Sequence, residues 1–172
     1  KELTVVRSTH VTTNMLRVTL GGDALVSFPT DQESAYVKLV FPRTEGERAQ
    51  MRTYTIRHQQ PNEIDIDFAL HDKIGPATSW AINAQPGDRI MVGGPGPKKL
   101  INHDADWYLL VGDMTALPAI SVNLAQLPAD ASGHAVIEVI SETDIQPLDH
   151  PKDLELHWVV NPRADPEGAL LV

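Results

Sequence analysis

Apolar side chains recur at every second position through much of the first hundred residues, and a glycine- and proline-rich stretch at 93–99 ends that pattern abruptly. Period two places neighbouring side chains on opposite faces of an extended chain, so one face is buried while the other stays wet. Leu16, Val18 and Leu20 follow the pattern, as do Ile64, Ile66 and Phe68 against Asp65 and Asp67. Further strands are read at 36–41, 51–57 and 89–92. Gly21-Gly22-Asp23, residues 42–46, Gln60-Pro61-Asn62 and Gln85-Pro86-Gly87-Asp88 punctuate them as turns. One helical segment, 77–84, follows Gly75-Pro76, where a proline at the helix start is preorganised. Six strands with one short helix predict a small antiparallel barrel over residues 1–99.

The pattern changes after Gly93-Gly94-Pro95-Gly96-Pro97-Lys98-Lys99. Residues 107–111 form a continuous apolar run, 116–127 have helical spacing despite Pro118, and 135–140 and 154–160 read as strands buried on both faces. This predicts the opening of a parallel α/β domain at 104–172, partial at its C-terminal end, where residues from Glu167 read as a helix start. Gly93, Gly94 and Gly96 resemble a dinucleotide-binding loop only superficially, because prolines and lysines follow instead of a helix. They are read as a hinge.

Composition removes several function classes. The absence of cysteine from all 172 residues excludes disulfides, thiolate metal sites and cysteine nucleophiles together. A formal net charge of −9 opposes broad binding to nucleic acid or to an anionic membrane, so an anionic ligand needs a local basic pocket. No long apolar run or apolar leader is present in this sequence, so no integral membrane association is expected and the chain is read as cytoplasmic. The seven histidines show no helical i, i+4 pair and no acidic neighbour that completes a ligand set, so no metal site is expected.

Two segments carry chemistry. In Arg52-Thr53-Tyr54-Thr55, alternation puts Arg52 and Tyr54 on one face and Thr53 and Thr55 on the other. The tetrapeptide contains what a flavin needs: a cation for pyrophosphate, a flat aromatic and a hydroxyl. It is equally ordinary strand composition. The run from His71 to Ala81 leads a loop into a helix start whose free N–H groups suit phosphate, or else caps the barrel with Trp80 in the core.

Four motifs in order now support a resemblance. Arg52-x-Tyr54-Thr55, Asp67-Phe68-Ala69-Leu70-His71, Gly75-Pro76-Ala77-Thr78-Ser79-Trp80-Ala81 and Gly112-Asp113-Met114-Thr115-Ala116-Leu117-Pro118-Ala119-Ile120 closely resemble the siderophore-interacting protein family of ferric-siderophore reductases. The resemblance runs from Arg7 to the last residue. It implies a ferredoxin-reductase-like architecture, a six-stranded antiparallel Greek-key β-barrel that binds FAD followed by an α/β domain for NADPH or NADH. It further implies that Arg52 pairs with the FAD pyrophosphate, that Tyr54 lies along the isoalloxazine, and that Thr55, beside Thr53, bonds near N5. Tyr54 and Thr55 would thus be the groups at the reacting ring. Asp67, Phe68, Ala69 and His71 would line the rest of the cofactor, Ala77, Thr78 and Ser79 its phosphates, and Asp113 and Thr115 the turn where the nicotinamide approaches. Met114 stands where the family often carries an acidic residue.

The same resemblance implies an anionic, catecholate-type ferric siderophore as substrate, held by basic residues above the flavin. Lys38 is the leading contact, with Lys98, Lys99 and Arg57 behind it; an ordinary strand lysine points to water. The competing readings are a general flavin or electron-transfer reductase of the same superfamily and a non-catalytic protein that binds ferric chelates.

Overall fold

The computed structural model describes residues 1–41, 49–71 and 75–162. The turn expected at 42–46, residues 72–74 of the loop before the first helix and the helix start expected from Glu167 lie outside the described residues. Six strands close the barrel: β1 (Glu2–Thr12), β2 (Met15–Gly21), β3 (Tyr36–Phe41), β4 (Gln50–Gln60), β5 (Glu63–Ala69) and β6 (Arg89–Gly93), in the order β1-β2-β5-β4-β3-β6. Every pairing is antiparallel. Three sequential strands, β3 to β5, are followed by one that returns beside the first of them, which is a Greek key. The period-two residues fill the interior: Val18, Leu20, Ile56, Ile66 and Phe68 are fully buried. To β1 the alternation assigns no bounds, because Glu2–Thr12 reads with poor alternation and is held by pairing with both β2 and β6. β4 continues three residues past the expected end through an irregularity between Ile56 and His58.

Helix α1 (Pro76–Asn83) plugs one end of the barrel. It starts one residue before the sequence expectation, on Pro76 itself, and ends at Asn83 because Ala84 is extended. Ala77 and Ala81 lie in the barrel core, and Trp80 packs 6.0 Å from Phe68 and 5.9 Å from Phe41, ring centre to ring centre.

The second sheet is parallel, in the order β7 (Tyr108–Gly112), β8 (Ser132–Val139) and β9 (Asp153–Val160). Helix α2 (Leu117–Gln126) covers one face and buries Leu117, Ile120 and Leu124 against Tyr108, Leu110, Ala135 and Ile137. β8 begins three residues before the expected start, where Gly133 lies beside Tyr108. A side chain at Gly133 would overlap the Tyr108 carbonyl, and its φ of +144° is strained for any other residue.

Sheet and barrel are joined at several places, the packing of α2 against β4 among them. Met15 of β2 belongs to the second core, alongside Met114 and Leu117. Asp144 is 0% exposed and accepts hydrogen bonds from Thr12 Oγ1 at 2.8 Å, Asn14 N at 2.7 Å, Asn14 Nδ2 at 2.8 Å and Ser141 N at 3.1 Å. The segment expected to be a hinge is instead fastened at both sides. Gly96 N donates to the Tyr36 carbonyl at 2.8 Å, Lys98 bridges to Ala35, and Ser34 Oγ and Asn123 Nδ2 both donate to the Lys99 carbonyl. Asn123 Oδ1 in turn accepts from Ile101 N at 2.9 Å. Backbone groups of this irregular stretch are thus satisfied partly by β3 and partly by side chains.

Candidate functional site

The β4–β5 ladder begins at Ile56↔Ile66, so residues 51–55 of β4 pair with β3 alone and the barrel opens beside them. The register settles the faces of this segment. Arg52 and Tyr54 stand opposite Leu39 and Val37, whose side chains are fully buried, while Thr53 and Thr55 stand opposite Lys38 and Tyr36 on the outer face. Tyr54 rests on Phe68 with ring centres 4.4 Å apart, and Phe68 in turn reaches Trp80, which links this strand to α1. Burial pushes the Tyr54 hydroxyl up and the Arg52 charge only partly opposes it, so the phenol stays protonated at neutral pH. Arg52 is exposed, with one guanidinium nitrogen donating to the Met51 carbonyl at 2.9 Å.

At the start of α1, Gly75 is the N-cap and no side chain caps the helix. Pro76 has no N–H to satisfy, and Ser79 N is taken by the Gly75 carbonyl at 2.9 Å. Among the described residues, the N–H groups of Ala77 and Thr78 are therefore the donors of this terminus left for a ligand. The side chains of Ala77 and Thr78 are buried, so they offer a phosphate only backbone, whereas Ser79 is exposed and can offer its hydroxyl.

Several expected site residues are engaged elsewhere. Asp67 receives a bidentate bond from Arg17, at 2.6 and 2.8 Å, and the ring of Phe68 is 0% exposed; for both, the side chain belongs to the barrel. Next to that pair, Asp65 accepts from Thr19 at 2.6 Å and lies 3.2 Å from His58 Nδ1. Burial pushes Asp65 up, but hydrogen bonds from His58 and Thr19 and the Arg17 charge outweigh it and hold the carboxyl below its usual range. The polar face of β5 is thus an ionic ladder, not a bare wet surface. Arg57 sits in the same network, its pKa lowered by burial and supported by the charge of Asp67. Ala69 and His71, partly buried and exposed respectively, carry the chain from β5 toward α1.

Of the expected substrate lysines, Lys38 is exposed and stands directly opposite Thr53. Lys98 is paired with Asp31 at 3.0 Å and three-quarters covered, and Lys99 is exposed with its backbone pinned. Asp113 accepts from Thr115 N at 2.8 Å, Thr115 Oγ1 at 2.6 Å and Ala116 N at 3.2 Å, so these two side chains shape the turn between β7 and α2. Met114 is 4% exposed and packs in the second core. A cavity of about 510 Å³ lies elsewhere, between β1 and the end of α1, lined by Arg7, His10, Leu16, Leu70 and Ile82 among others. None of residues 52–55 borders it.

Residues 4–50 and 43–99 match the model of the siderophore-interacting FAD-binding domain, and residues 105–172 match that of the siderophore-interacting protein. The chain belongs to the siderophore-interacting protein family. It is 36% identical to the ferric vibriobactin reductase ViuB of Vibrio cholerae over 97% of its own length and 68% of that protein. It is 30% identical to the NADPH-dependent ferric-chelate reductase of Escherichia coli, over 94% of this chain and 71% of that one. The crystal structure of the siderophore-interacting protein SipS from Aeromonas hydrophila superposes with a TM-score of 0.87 at 36% identity, covering 99% of this chain and 70% of that one. Barrel and parallel sheet together are the ferredoxin-reductase-like FAD-binding fold.

The residues of this siderophore-interacting protein fit the FAD that the family implies. The barrel opens where Arg52 can meet a pyrophosphate, the Tyr54 ring is fixed against Phe68, and two uncapped N–H donors of α1 lie across the same aromatic contact. One donor cluster escaped sequence reading altogether. β8 and β9 bring donor atoms of His134, Glu155 and His157 within 4.8 Å of one another, so His134 gains a histidine and an acidic neighbour from the next strand. Only the strand register carries that signal.

Proposed function

We propose that this siderophore-interacting protein is a cytoplasmic, FAD-dependent reductase that takes electrons from NADPH or NADH and reduces Fe(III) in a siderophore so that iron is released. The single observation that carries the reading is the barrel opening at residues 51–55, flanked by Arg52, Tyr54 and the uncapped start of α1, in a member of this family. The names of the Vibrio cholerae and Escherichia coli relatives, a ferric vibriobactin reductase and a ferric-chelate reductase, support it. Residues 1–99 form the FAD-binding domain and 104–172 the nicotinamide-binding one. Among the described residues no helix is long and apolar enough to cross a membrane.

FAD, when bound, would supply the chemistry that turns a two-electron donor into a one-electron source, as ferric iron requires. The chain supplies position. Arg52 and the α1 donors would hold the pyrophosphate, Tyr54 would present a protonated, immobilised ring to the flavin, and Thr55 would supply a hydroxyl to it. The Asp113–Thr115 turn sets the approach of the nicotinamide at the end of β7, the end where α/β sheets bind ligands. Lys38, exposed beside Thr53, attracts an anionic, catecholate-type chelate against the net charge of −9. Unit charges about 4 Å apart interact by roughly 4 kcal/mol at an effective dielectric near 20, while distant carboxylates are screened. Hard oxygen ligands favour Fe(III) over Fe(II), so one electron loosens the complex.

The test is an anaerobic absorption spectrum of the purified protein with NADPH, NADH and a ferric catecholate added in turn, after the chromophore has been released by heat and identified. FAD, bleached by nicotinamide and reoxidised by the chelate with ferrous iron appearing, is the expected result. FMN or no flavin would overturn the reading. A flavin that reduces free flavin or a protein acceptor but no chelate would mark a general electron-transfer reductase.

A further inference from the structure

We propose that His134, Glu155 and His157 form a binding site for a borderline divalent transition ion of the Zn²⁺ class, on the face of the parallel sheet away from α2. The register pairs His134 of β8 with Glu155 of β9 and Val136 with His157, so all three donors project from one face. His134 Nδ1 lies 2.9 Å from His157 Nε2, and Glu155 Oε2 lies 3.7 Å from the first and 3.6 Å from the second. A tetrahedral ion with bonds of about 2.0–2.1 Å has ligand-to-ligand edges of about 3.3–3.4 Å. The three separations straddle that edge, and small rotations of half-exposed side chains bring them onto it.

The donor set selects the ion. Two imidazoles and one carboxylate suit Zn²⁺ and its neighbours, whereas Mg²⁺ and Ca²⁺ demand oxygen ligands. The proton that one ring donates to the other moves to the far ring nitrogen when the ion enters, so both facing nitrogens become ligands without net loss of a proton. Solvent completes the coordination, because the three side chains are 40–70% exposed.

The site is separate from the proposed reductase centre. His134 pairs with Leu109 near the start of β7, whereas the Asp113–Thr115 turn leaves from the end of that strand. An ion here clips β8 to β9. Trp107, with its ring centre 5.7 Å from that of His134, reports on occupancy.

The experiment is calorimetric titration of the chelator-treated, FAD-loaded protein with Zn²⁺, followed by thermal melts and Trp fluorescence. The expected result is one ion per chain, a raised Tm and a changed fluorescence, with Mg²⁺ and Ca²⁺ unable to compete. His134→Ala and His157→Ala weaken Zn²⁺ at least tenfold, Glu155→Gln weakens it with the fold intact by circular dichroism, and His10→Ala on the barrel binds as wild type. Absence of stoichiometric binding, or wild-type affinity in both His134→Ala and His157→Ala, overturns the assignment.

Discussion

Asp144→Ala tests how the barrel and the parallel sheet are held together. The carboxylate is fully buried and satisfies four donors, of which Thr12 at the end of β1 and Asn14 in the turn to β2 supply three. A hydrogen bond to a charged group is worth about 1.5–3 kcal/mol, and a buried donor left unsatisfied costs about 1–3 kcal/mol. The four donors come from three residues, two of them from Asn14, and are not independent, so their values do not add. The loss is set at about 3–5 kcal/mol, more than one unsatisfied buried donor costs and less than four independent ones would. Against a typical total of about 5–15 kcal/mol this is a large fraction, and at about 2–4 °C per kcal/mol for a chain of this size Tm falls by about 6–20 °C. Differential scanning calorimetry at fixed FAD concentration measures it. A double-mutant cycle with Asn14→Ala should return a coupling of about 1–3 kcal/mol. A loss below about 1 kcal/mol, or additive single mutants, would refute the reasoning, because solvent would then satisfy those donors as well as Asp144 does.

Three further outcomes follow from the site. Arg52→Ala weakens FAD about tenfold to a hundredfold, as loss of a charge-assisted hydrogen bond implies, and unchanged flavin content after dialysis would show that Arg52 does not meet the pyrophosphate. Asp65→Asn destabilises at neutral pH: the folded carboxyl titrates below its unfolded range, so its contribution is full above about pH 5 and is lost as pH falls below about 4. Urea melts of both proteins from pH 7 to 3 should converge at the acid end, and a constant gap would contradict this. Lys38→Ala raises KM for an anionic ferric catecholate, more at low salt than at high, and leaves FAD content and reduction of a neutral acceptor unchanged; an unaltered ratio of the two activities at every ionic strength would return Lys38 to an ordinary solvated strand lysine.

Periodicity alone disclosed the barrel, because a strand with one buried face must alternate and Leu16 to Leu20 and Ile64 to Phe68 do so. The change at 93–99 likewise marked where the antiparallel barrel gives way to a parallel sheet, and four local motifs sufficed for the family. These are properties of neighbouring residues, which a sequence displays directly. Where side chains meet across strands, the sequence is silent. Asp67 reads as half of an alternating pair yet is bound by Arg17, fifty positions away; Asp144, which no motif marks, ties sheet to barrel; the glycine-rich hinge is a strap fastened by Asn123. His134, Glu155 and His157 become neighbours only because β8 and β9 pair in parallel with one register, and a shift by one residue would send one strand's donors to the other face. Sequence determined the elements and the cofactor motifs, because propensity and period are local. Tertiary structure decided which polar groups are free and which are engaged, because that depends on contacts between residues far apart in the chain.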